Sequence, residues 1–195
     1  QKAKKAQAAG RFAEEIIPVV IPSKKGDAVV FDKDEFIKPN TSIEGLAKLK
    51  PAFRKDGTVT AGNASGLNDG AAAMLIASAD AVKNYNLQPL ARIVSSAAVG
   101  VAPGIMGIGP VEAALKAMKL AGIGWNDIGL IELNEAFAAQ SLACVRAWGL
   151  ADNDERLNPN GGAIAIGHPL GMSGARILYS AALEMQKKNI RYALV

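Results

Sequence analysis

The chain has 195 residues, of which 50% are hydrophobic and 21% charged, and its formal net charge is +4. These values are ordinary for a globular protein and allow one large domain or two small ones. The lysines are scattered rather than gathered in a stripe, which argues against a nucleic-acid-binding protein. Moderate basicity would help to attract an anionic ligand such as a nucleotide phosphate, although solvated surface lysines explain it more simply.

Cys144 is the single cysteine, which excludes an internal disulfide and a cysteine-based metal cluster. We expect no metal site and a reducing, cytoplasmic location, with an organellar matrix as the alternative. Apolar runs such as residues 71–77 are far shorter than the roughly 20 residues that span a bilayer. The N-terminus lacks the apolar stretch of a secretory signal. We therefore expect a soluble protein with no membrane partner, and natural sequence upstream, because the chain begins without Met in helical composition.

The first part of the chain has few regular patterns. Residues 1–15 are typical of the end of an amphipathic helix, and residues 16–21, with prolines in and beside them, indicate an edge strand or an extended segment. Charge, Pro and Gly are frequent from residue 23 to 51, which predicts a loop-rich excursion over a neighbouring domain. Glycine and asparagine are dense from residue 57 to 70, and this composition permits close approach to a ligand or another backbone.

Strands and helices alternate in the rest of the chain. The small-residue run at 71–77 leads into a short helix over 79–85. After it we predict a strand at 90–98, a helix at 111–121 that begins at Gly109-Pro110 and ends at Gly122, a strand at 129–133, a helix at 135–148, a glycine-rich strand and turn at 158–169, a helix at 173–188 and a strand that starts at 192. This alternation is typical of an α/β layered domain of about 100 residues.

His168 is the only histidine. A lone histidine is more often structural than catalytic, but this one lies in a Gly/Pro turn directly before a predicted helix. The free N–H groups and the positive dipole end of a helix N-terminus favour a neutral imidazole there. A neutral imidazole can take a proton from a nucleophile. His168 is therefore a candidate catalytic base.

Asn134 is the second candidate, because it stands where a predicted strand gives way to a helix. Open α/β sheets present their ligand-facing groups at this end of a strand. In the alternative interpretation Asn134 caps the helix and Glu135 complements the helix dipole. Both roles can hold together. The glycines from 104 to 109 lack the spacing of a dinucleotide-binding loop, which disfavours a nicotinamide-dependent enzyme.

Three motifs in sequence order resemble the thiolase family. They are Gly-Asn-Ala-Ser-Gly-Leu-Asn-Asp-Gly at 62–70, Asn-Glu-Ala-Phe at 134–137, and the stretch at 160–176 that contains Gly-His-Pro. The resemblance covers essentially the whole chain and implies a partial thiolase-like layered αβαβα fold. It also implies three parts: residues 1–55 as a remnant of the inter-domain loop region, residues 56–89 as the last strand and helix of the N-terminal domain, and residues 90–195 as a truncated C-terminal domain.

The resemblance implies a thiolase-type acyltransferase, which condenses two acetyl-CoA molecules to acetoacetyl-CoA or cleaves a 3-ketoacyl-CoA by thiolysis in fatty acid metabolism. His168 would activate a cysteine from the N-terminal half and, with a water held by Asn134, stabilise an enolate oxygen. A second cysteine, in a Cys-x-Gly-x-Gly turn, would follow Val195. Cys144 has apolar neighbours on a helix and is expected to pack. We therefore expect the 195-residue chain alone to be inactive.

Coenzyme A and acetyl-CoA are implied as substrates, with no cofactor held covalently. The implied contacts are Ser65 near the pantetheine, Phe53, Ala61 and Met106 along the ligand, and Ala136, Phe137 and Gly167. Core packing is the alternative for Phe53 and Met106. The resemblance also implies a homodimer or homotetramer. A non-catalytic thiolase-fold domain with partial coenzyme A binding is the alternative function.

Overall fold

A computed structural model describes the protein over residues 1–195. The elements are α1 (Lys2–Ala8), β1 (Val19–Ile21), β2 (Val29–Phe31), α2 (Ile43–Ala47), α3 (Ala79–Asn84), α4 (Gly109–Ala121), β3 (Ile128–Ile131), α5 (Ala138–Ala147), α6 (Ala163–Ile166), α7 (Ser173–Lys188) and β4 (Tyr192–Leu194), with short 3-10 turns between some of them. Strands β1 and β2 form an antiparallel pair, and β3 and β4 form a parallel pair. None of the helices combines the length and apolar character needed to cross a bilayer.

The hydrophobic core is built around β3. Its buried members are Ala114 and Met118 from α4, Ile128 and Ile131 from β3, Leu133, and Cys144, Val145 and Trp148 at α5. Strand β3 is apolar at each position because neighbours cover both of its faces, as is usual for a parallel strand. Leu130 and Ile131 are each only 1% exposed. The core thus fixes the carboxyl end of β3, where the chain runs directly into Asn134.

Two of the predicted helices are confirmed almost to the residue. Helix α4 begins at Gly109-Pro110 and ends at Gly122, whose φ of 68° is left-handed. Proline suits the first turn because it lacks the N–H that has no partner there, and glycine adopts the left-handed conformation without strain. Helix α7 spans Ser173–Lys188, as the apolar spacing predicted, and it ends at Asn189 in the left-handed region.

The first part of the chain contains more breaks and more structure than the sequence predicted. The helix predicted over 1–15 ends at Ala8, because Gly10 adopts a left-handed φ of 72°, and a 3-10 turn follows. The segment 23–51 is not wholly irregular. It contains β2, which pairs with β1 in the register Val20 opposite Val30, and α2, which Ser42 caps by accepting from the N–H of Gly45.

The strand predicted over 90–98 is wrong, because this extended segment and residues 71–77 have no hydrogen-bonded neighbouring strand. Side-chain bonds hold the segment instead: Ser95 Oγ donates to the Ala117 carbonyl at 2.8 Å, and Gln186 Nε2 donates to the Leu90 carbonyl at 3.1 Å. A strand exists only with a partner, and local sequence cannot supply one.

Buried ionic contacts join the start of the chain to α7. Arg11 donates to the Glu184 carboxylate at 3.0 Å and also contacts Glu15. Desolvation raises the pKa of Glu184, but hydrogen bonds from Lys188, Asn160 and Arg11 outweigh it and lower the pKa to about 2. Asn160 belongs to the loop that leads to His168, so this cluster connects the 3-10 turn after α1, helix α7 and that loop.

Candidate active site

The residues after Asn134 are extended rather than helical. Helix α5 begins at Ala138, and its N-cap residue is Phe137, with φ −142° and ψ 139°. The predicted helix start at Glu135 is therefore wrong, and so is the alternative that Asn134 caps this helix. The reason is a long-range pairing: the Ser65 N–H donates to the Ala136 carbonyl at 3.0 Å, and the Ala138 N–H donates to the Asn63 carbonyl at 2.9 Å.

The turn that carries His168 packs against the same loop. Leu67 and His168 form an isolated parallel bridge, and the His168 N–H donates to Asn68 Oδ1 at 3.2 Å. Gly167 has a left-handed φ of 91°, and a Cβ there would lie 2.5 Å from Asn68 Oδ1. Only glycine satisfies both constraints. The loop at 62–70 therefore lies between the segment that follows Asn134 and the turn that carries His168.

His168 and Asn134 meet at the centre of this arrangement. Asn134 Nδ2 lies 3.3 Å from His168 Nε2, although the residues are 34 positions apart. The other ring nitrogen, Nδ1, lies 2.6 Å from Ser173 Oγ. Asn134 Oδ1 is buried and has no hydrogen-bond partner in the protein. Because an amide N–H₂ can only donate, the contact at Nε2 assigns the lone pair to Nε2 and the ring proton to Nδ1.

Asn158, a residue that the sequence did not single out, holds the neighbours of Asn134 in place. Asn158 Oδ1 accepts from the Leu133 N–H at 2.8 Å, while its Nδ2 donates to the Leu133 carbonyl at 2.8 Å and to Glu135 Oε1 at 2.9 Å. The backbone of Asn158 has a left-handed φ of 41° and turns away from the segment that follows β3. Its side-chain amide replaces the backbone as the hydrogen-bond partner of Leu133. Asparagine is one of the few residues that tolerate this backbone conformation. Its presence at position 158 was the only signal in the sequence for this role.

The second oxygen of Glu135 contacts the loop before His168. Oε2 accepts from the Ile164 N–H, near the start of α6, at 3.3 Å. A Cβ at Gly162 would lie only 2.2 Å from Glu135 Cδ, so the loop can approach the carboxylate because residue 162 has no side chain. Glu135 therefore joins the end of β3, which leads to Asn134, to the segment that leads to His168.

The implied coenzyme A residues fall into two groups. Phe53 and Phe137 stack edge to face with ring centroids 6.2 Å apart, and Ser65 is bonded to Ala136 beside them. Ala61 lies in the turn that opens the same loop. Met106 lies on a separate 3-10 turn (Pro103–Ile108). Phe53 and Met106 are 74% and 76% exposed, so neither belongs to the core of these 195 residues.

Cys144 lies in the hydrophobic core with no exposed surface. Its Sγ contacts the Gly107 carbonyl at 3.4 Å and Gln140 Nε2 at 3.5 Å, which holds the 3-10 turn of Met106 against α5. Burial raises the pKa of the thiol, although the hydrogen bond from Gln140 opposes this rise. A buried neutral thiol is a poor nucleophile. The geometry agrees with a packing role.

Buried charges lie beneath the site. Glu132 on the chain between β3 and Asn134 is 4% exposed, and burial raises the pKa of its carboxyl to about 7, with the negative charges of Glu15, Glu135 and Glu184 adding to the rise. The positive charge of Arg176 opposes it. Burial lowers the pKa of Arg176, whose Nε has no hydrogen-bond partner in the protein.

Comparison with known proteins shows the family. The model of the thiolase N-terminal domain matches residues 1–80, and that of the thiolase C-terminal domain matches residues 87–195. The beta-ketoadipyl-CoA thiolase of Acinetobacter baylyi is 55% identical over 100% of this chain and 48% of its own length. The acetyl-CoA acetyltransferase of Chromobacterium violaceum is 53% identical over 100% of this chain and 49% of its own.

The fold is likewise that of solved thiolases. Human mitochondrial 3-ketoacyl-CoA thiolase in complex with CoA superimposes with a TM-score of 0.91 and 48% identity, over 99% of this chain and 47% of that one. The chain thus spans about half the length of the relatives it matches. Both domain models together match nearly all of its residues, and the thiolase-like α/β fold is confirmed. The chain belongs to the thiolase family.

Proposed function

We propose that the whole protein is a thiolase-type acyltransferase that joins or cleaves acyl groups held on coenzyme A. The observation that carries the proposal is the 3.3 Å contact between Asn134 Nδ2 and His168 Nε2. A proton acceptor and an N–H donor side by side suit a reaction in which a nucleophile loses a proton and a thioester oxygen gains negative charge.

His168 is proposed as the base. Its Nε2 carries the lone pair, because Asn134 donates to it and Nδ1 contacts Ser173. In acylation, the proton of a cysteine thiol passes to Nε2, the thiolate attacks the thioester carbon, and the bond to the coenzyme A sulfur breaks. The departing coenzyme A thiolate then takes the proton from Nε2. Cys144 is buried in the core, so the nucleophile is proposed to come from outside these 195 residues.

Asn134 is proposed to support the oxyanion. Its Oδ1 is buried without a partner, and a buried amide oxygen in that state can accept from a water that in turn donates to the substrate oxygen. Asn158 holds the backbone of Leu133 on one side of Asn134 and the side chain of Glu135 on the other. Donors held in place before the reaction stabilise a developing charge more effectively than mobile ones.

Coenzyme A is proposed as a substrate that lies along the exposed aromatic pair. Phe53 and Phe137 form an apolar wall, and Ser65 and Ala136 lie next to it. Exposed aromatic side chains of this kind suit the apolar arm of a ligand that also carries polar groups. A solved human thiolase in complex with CoA supports coenzyme A as the ligand. Ala61, Met106 and Gly167 remain predictions as ligand contacts.

The acyl group is proposed to be 3-oxoadipyl (beta-ketoadipyl), because relatives at 55% and 57% identity bear the name beta-ketoadipyl-CoA thiolase. This name differs from the fatty acid metabolism that the sequence led us to expect. Asn134, Phe137 and Ser65 carry no positive charge, so a cation for the terminal carboxylate would come from other residues. Acetoacetyl-CoA is the second candidate, favoured by the acetyl-CoA acetyltransferase relative.

The homo-oligomer, the cytoplasmic location and the three-part domain division remain predictions.

The test uses the full polypeptide encoded by the gene that carries this sequence. With coenzyme A we expect it to cleave 3-oxoadipyl-CoA or acetoacetyl-CoA, and the ratio of kcat/KM for the two compounds assigns the acyl group. The 195-residue chain alone is expected to be inactive. Coenzyme A binding by the full polypeptide without turnover of either compound would instead support a non-catalytic thiolase-fold domain.

A further inference from the structure

The partner of His168 on the side away from Asn134 is a hydroxyl. Ser173 Oγ lies 2.6 Å from Nδ1, and Ser173, the first residue of α7, is 3% exposed. A histidine that works as a base commonly has a carboxylate or a carbonyl at this nitrogen, and such a group only accepts. It therefore keeps the proton on Nδ1. A hydroxyl both donates and accepts, so it pairs with Nδ1 in either state.

The proposed reaction requires His168 in more than one protonation form. As a base in acylation, Nε2 needs its lone pair, and the Nδ1 proton then donates to Ser173 Oγ. As a donor to an enolate oxygen, Nε2 needs a proton. If the ring is neutral at that step, Nδ1 has a lone pair that must accept from the Ser173 O–H. Its Nε2–H then lies beside the Asn134 amide, 3.3 Å away, and two donors are adjacent.

We propose that Ser173 is a positioning residue that supports both neutral tautomers of His168, so that one histidine serves as base in the first half-reaction and as N–H donor in the second. This inference rests on the proposed function. The proton that enters at Nε2 comes from the thiol or from solvent. The proton on Nδ1 reaches solvent when the turn before α7 opens transiently, and the Ser173 hydroxyl then rotates to offer its lone pair or its proton. Ser173 itself gains and loses none.

The burial of Ser173 strengthens this role. Water has little access to a side chain that is 3% exposed, so it cannot readily replace the hydroxyl as a partner for Nδ1. A tautomer in which Nδ1 had no hydrogen-bond partner would carry the desolvation cost of a buried polar group. The hydroxyl removes this cost from both tautomers, so the contacts at Nε2 decide between them.

The test compares three variants of the full polypeptide. Ser173→Thr keeps the hydroxyl. Ser173→Val introduces a side chain with the shape of threonine but without the hydroxyl. Ser173→Asp supplies an acceptor that holds the proton on Nδ1. Acylation is followed by exchange of labelled coenzyme A into acetyl-CoA, and condensation by formation of acetoacetyl-CoA. Circular dichroism and thermal unfolding confirm the fold of each variant.

We expect Ser173→Thr to keep both rates within about threefold of wild type, and Ser173→Val to lower condensation at least about tenfold more than Ser173→Thr does. Ser173→Asp should keep exchange within about tenfold and lower condensation about 100-fold or more. Equal rates for the Thr and Val variants, or equal losses of both half-reactions in Ser173→Asp, would overturn the proposal.

A measurement on the wild type does not depend on the folding of variants. In ¹⁵N-histidine-labelled protein, the ring signals of His168 are identified by their absence in His168→Gln. In the free protein the neutral ring should show the Nδ1–H tautomer that the contact with Asn134 selects, and after acetylation of the nucleophile with acetyl-CoA it should show a measurable fraction of the Nε2–H tautomer. An Nδ1–H tautomer that persists unchanged in the acetylated protein would contradict the role of Ser173 and leave the thiolase assignment standing, whereas a wild type without either half-reaction would overturn the proposed function itself.

Discussion

Asn158 Nδ2 donates to Glu135 Oε1 at 2.9 Å, and the same amide pairs with both backbone groups of Leu133, so the residues on either side of Asn134 are held by one side chain. Glu135 passes this restraint to the N–H of Ile164 in the segment before His168. The separation of the two proposed catalytic residues therefore depends on a buried asparagine that touches neither.

Asn158→Asp should weaken this arrangement. The change keeps the size of the side chain but removes the donor to Leu133 and Glu135, and it places a second carboxylate beside the first. We expect the free energy of unfolding to fall by about 1–3 kcal/mol. Asn153→Asp, at an exposed position five residues earlier in the chain, is the matched control and should change it by less than about 0.5 kcal/mol. Denaturant unfolding of both variants measures the difference, and equal stabilities would contradict the role of Asn158.

Gly162→Ala tests the close approach of the loop to Glu135. The new Cβ would lie 2.2 Å from Glu135 Cδ, so the loop or the carboxylate must move. We expect a loss of about 1–3 kcal/mol in stability. In Gly124→Ala the nearest atom lies 4.0 Å from the new Cβ, and that variant should remain close to wild type. Equal thermal unfolding midpoints for the two variants would show that the loop does not approach Glu135 this closely.

Cys144→Ala separates packing from chemistry. Cys144 has no exposed surface and lies among core residues, so removal of its sulfur should cost about 1–2 kcal/mol of stability. Turnover per folded molecule of the full polypeptide should not change, because burial raises the pKa of the thiol and keeps it from solvent. Steady-state kinetics at a temperature well below the unfolding midpoint measures this. A folded Cys144→Ala protein without activity would show that the thiol takes part in the reaction.

Glu132 should make stability depend on pH. Burial raises the pKa of its carboxyl from 4.5 to about 7, so between these values the folded protein binds a proton that the unfolded chain has lost. The contribution of the protonated carboxyl to the free energy of unfolding is fully present below pH 4.5 and is lost as the pH rises toward 7. The free energy of unfolding of Glu132→Gln, relative to wild type, should therefore rise by about 3 kcal/mol across this window.

The control for this titration is Glu155→Gln, which changes an exposed carboxyl. Its stability relative to wild type should vary little with pH. Denaturant unfolding at several pH values between 4 and 8 supplies the comparison. A difference between Glu132→Gln and wild type that stays constant with pH would show that Glu132 does not titrate in this range.

Local signals in the sequence predicted α4 and α7 well, since Gly109-Pro110 and Gly122 mark the ends of the first helix and regular apolar spacing marks the second. The motifs also identified His168 and Asn134, which the structure brings together. The predictions that were wrong concern segments whose structure depends on residues distant in the sequence. Residues 135–137 have helical composition but pair with residues 63–65 instead, and residues 90–98 have strand composition but no neighbour.

The supporting residues of the site were harder to predict than its centre. Asn158 and Ser173 act through contacts with Leu133, Glu135 and His168 that no spacing in the sequence reveals. Asparagine and serine are also common in turns and at helix starts, so their presence there carries little information. Only the three-dimensional structure shows that these two side chains are buried and bonded to the backbone or ring of a site residue.

The most direct test of the central claim is acyl-enzyme formation by the full polypeptide with His168→Ala. After incubation with acetyl-CoA, intact-mass measurement should show one acetyl group on the wild-type protein and none on the variant, while circular dichroism shows that both are folded. Such a result would place His168 Nε2 at the proton-transfer step. Acetylation of the folded variant at the wild-type rate would contradict the account, because the base would then lie elsewhere.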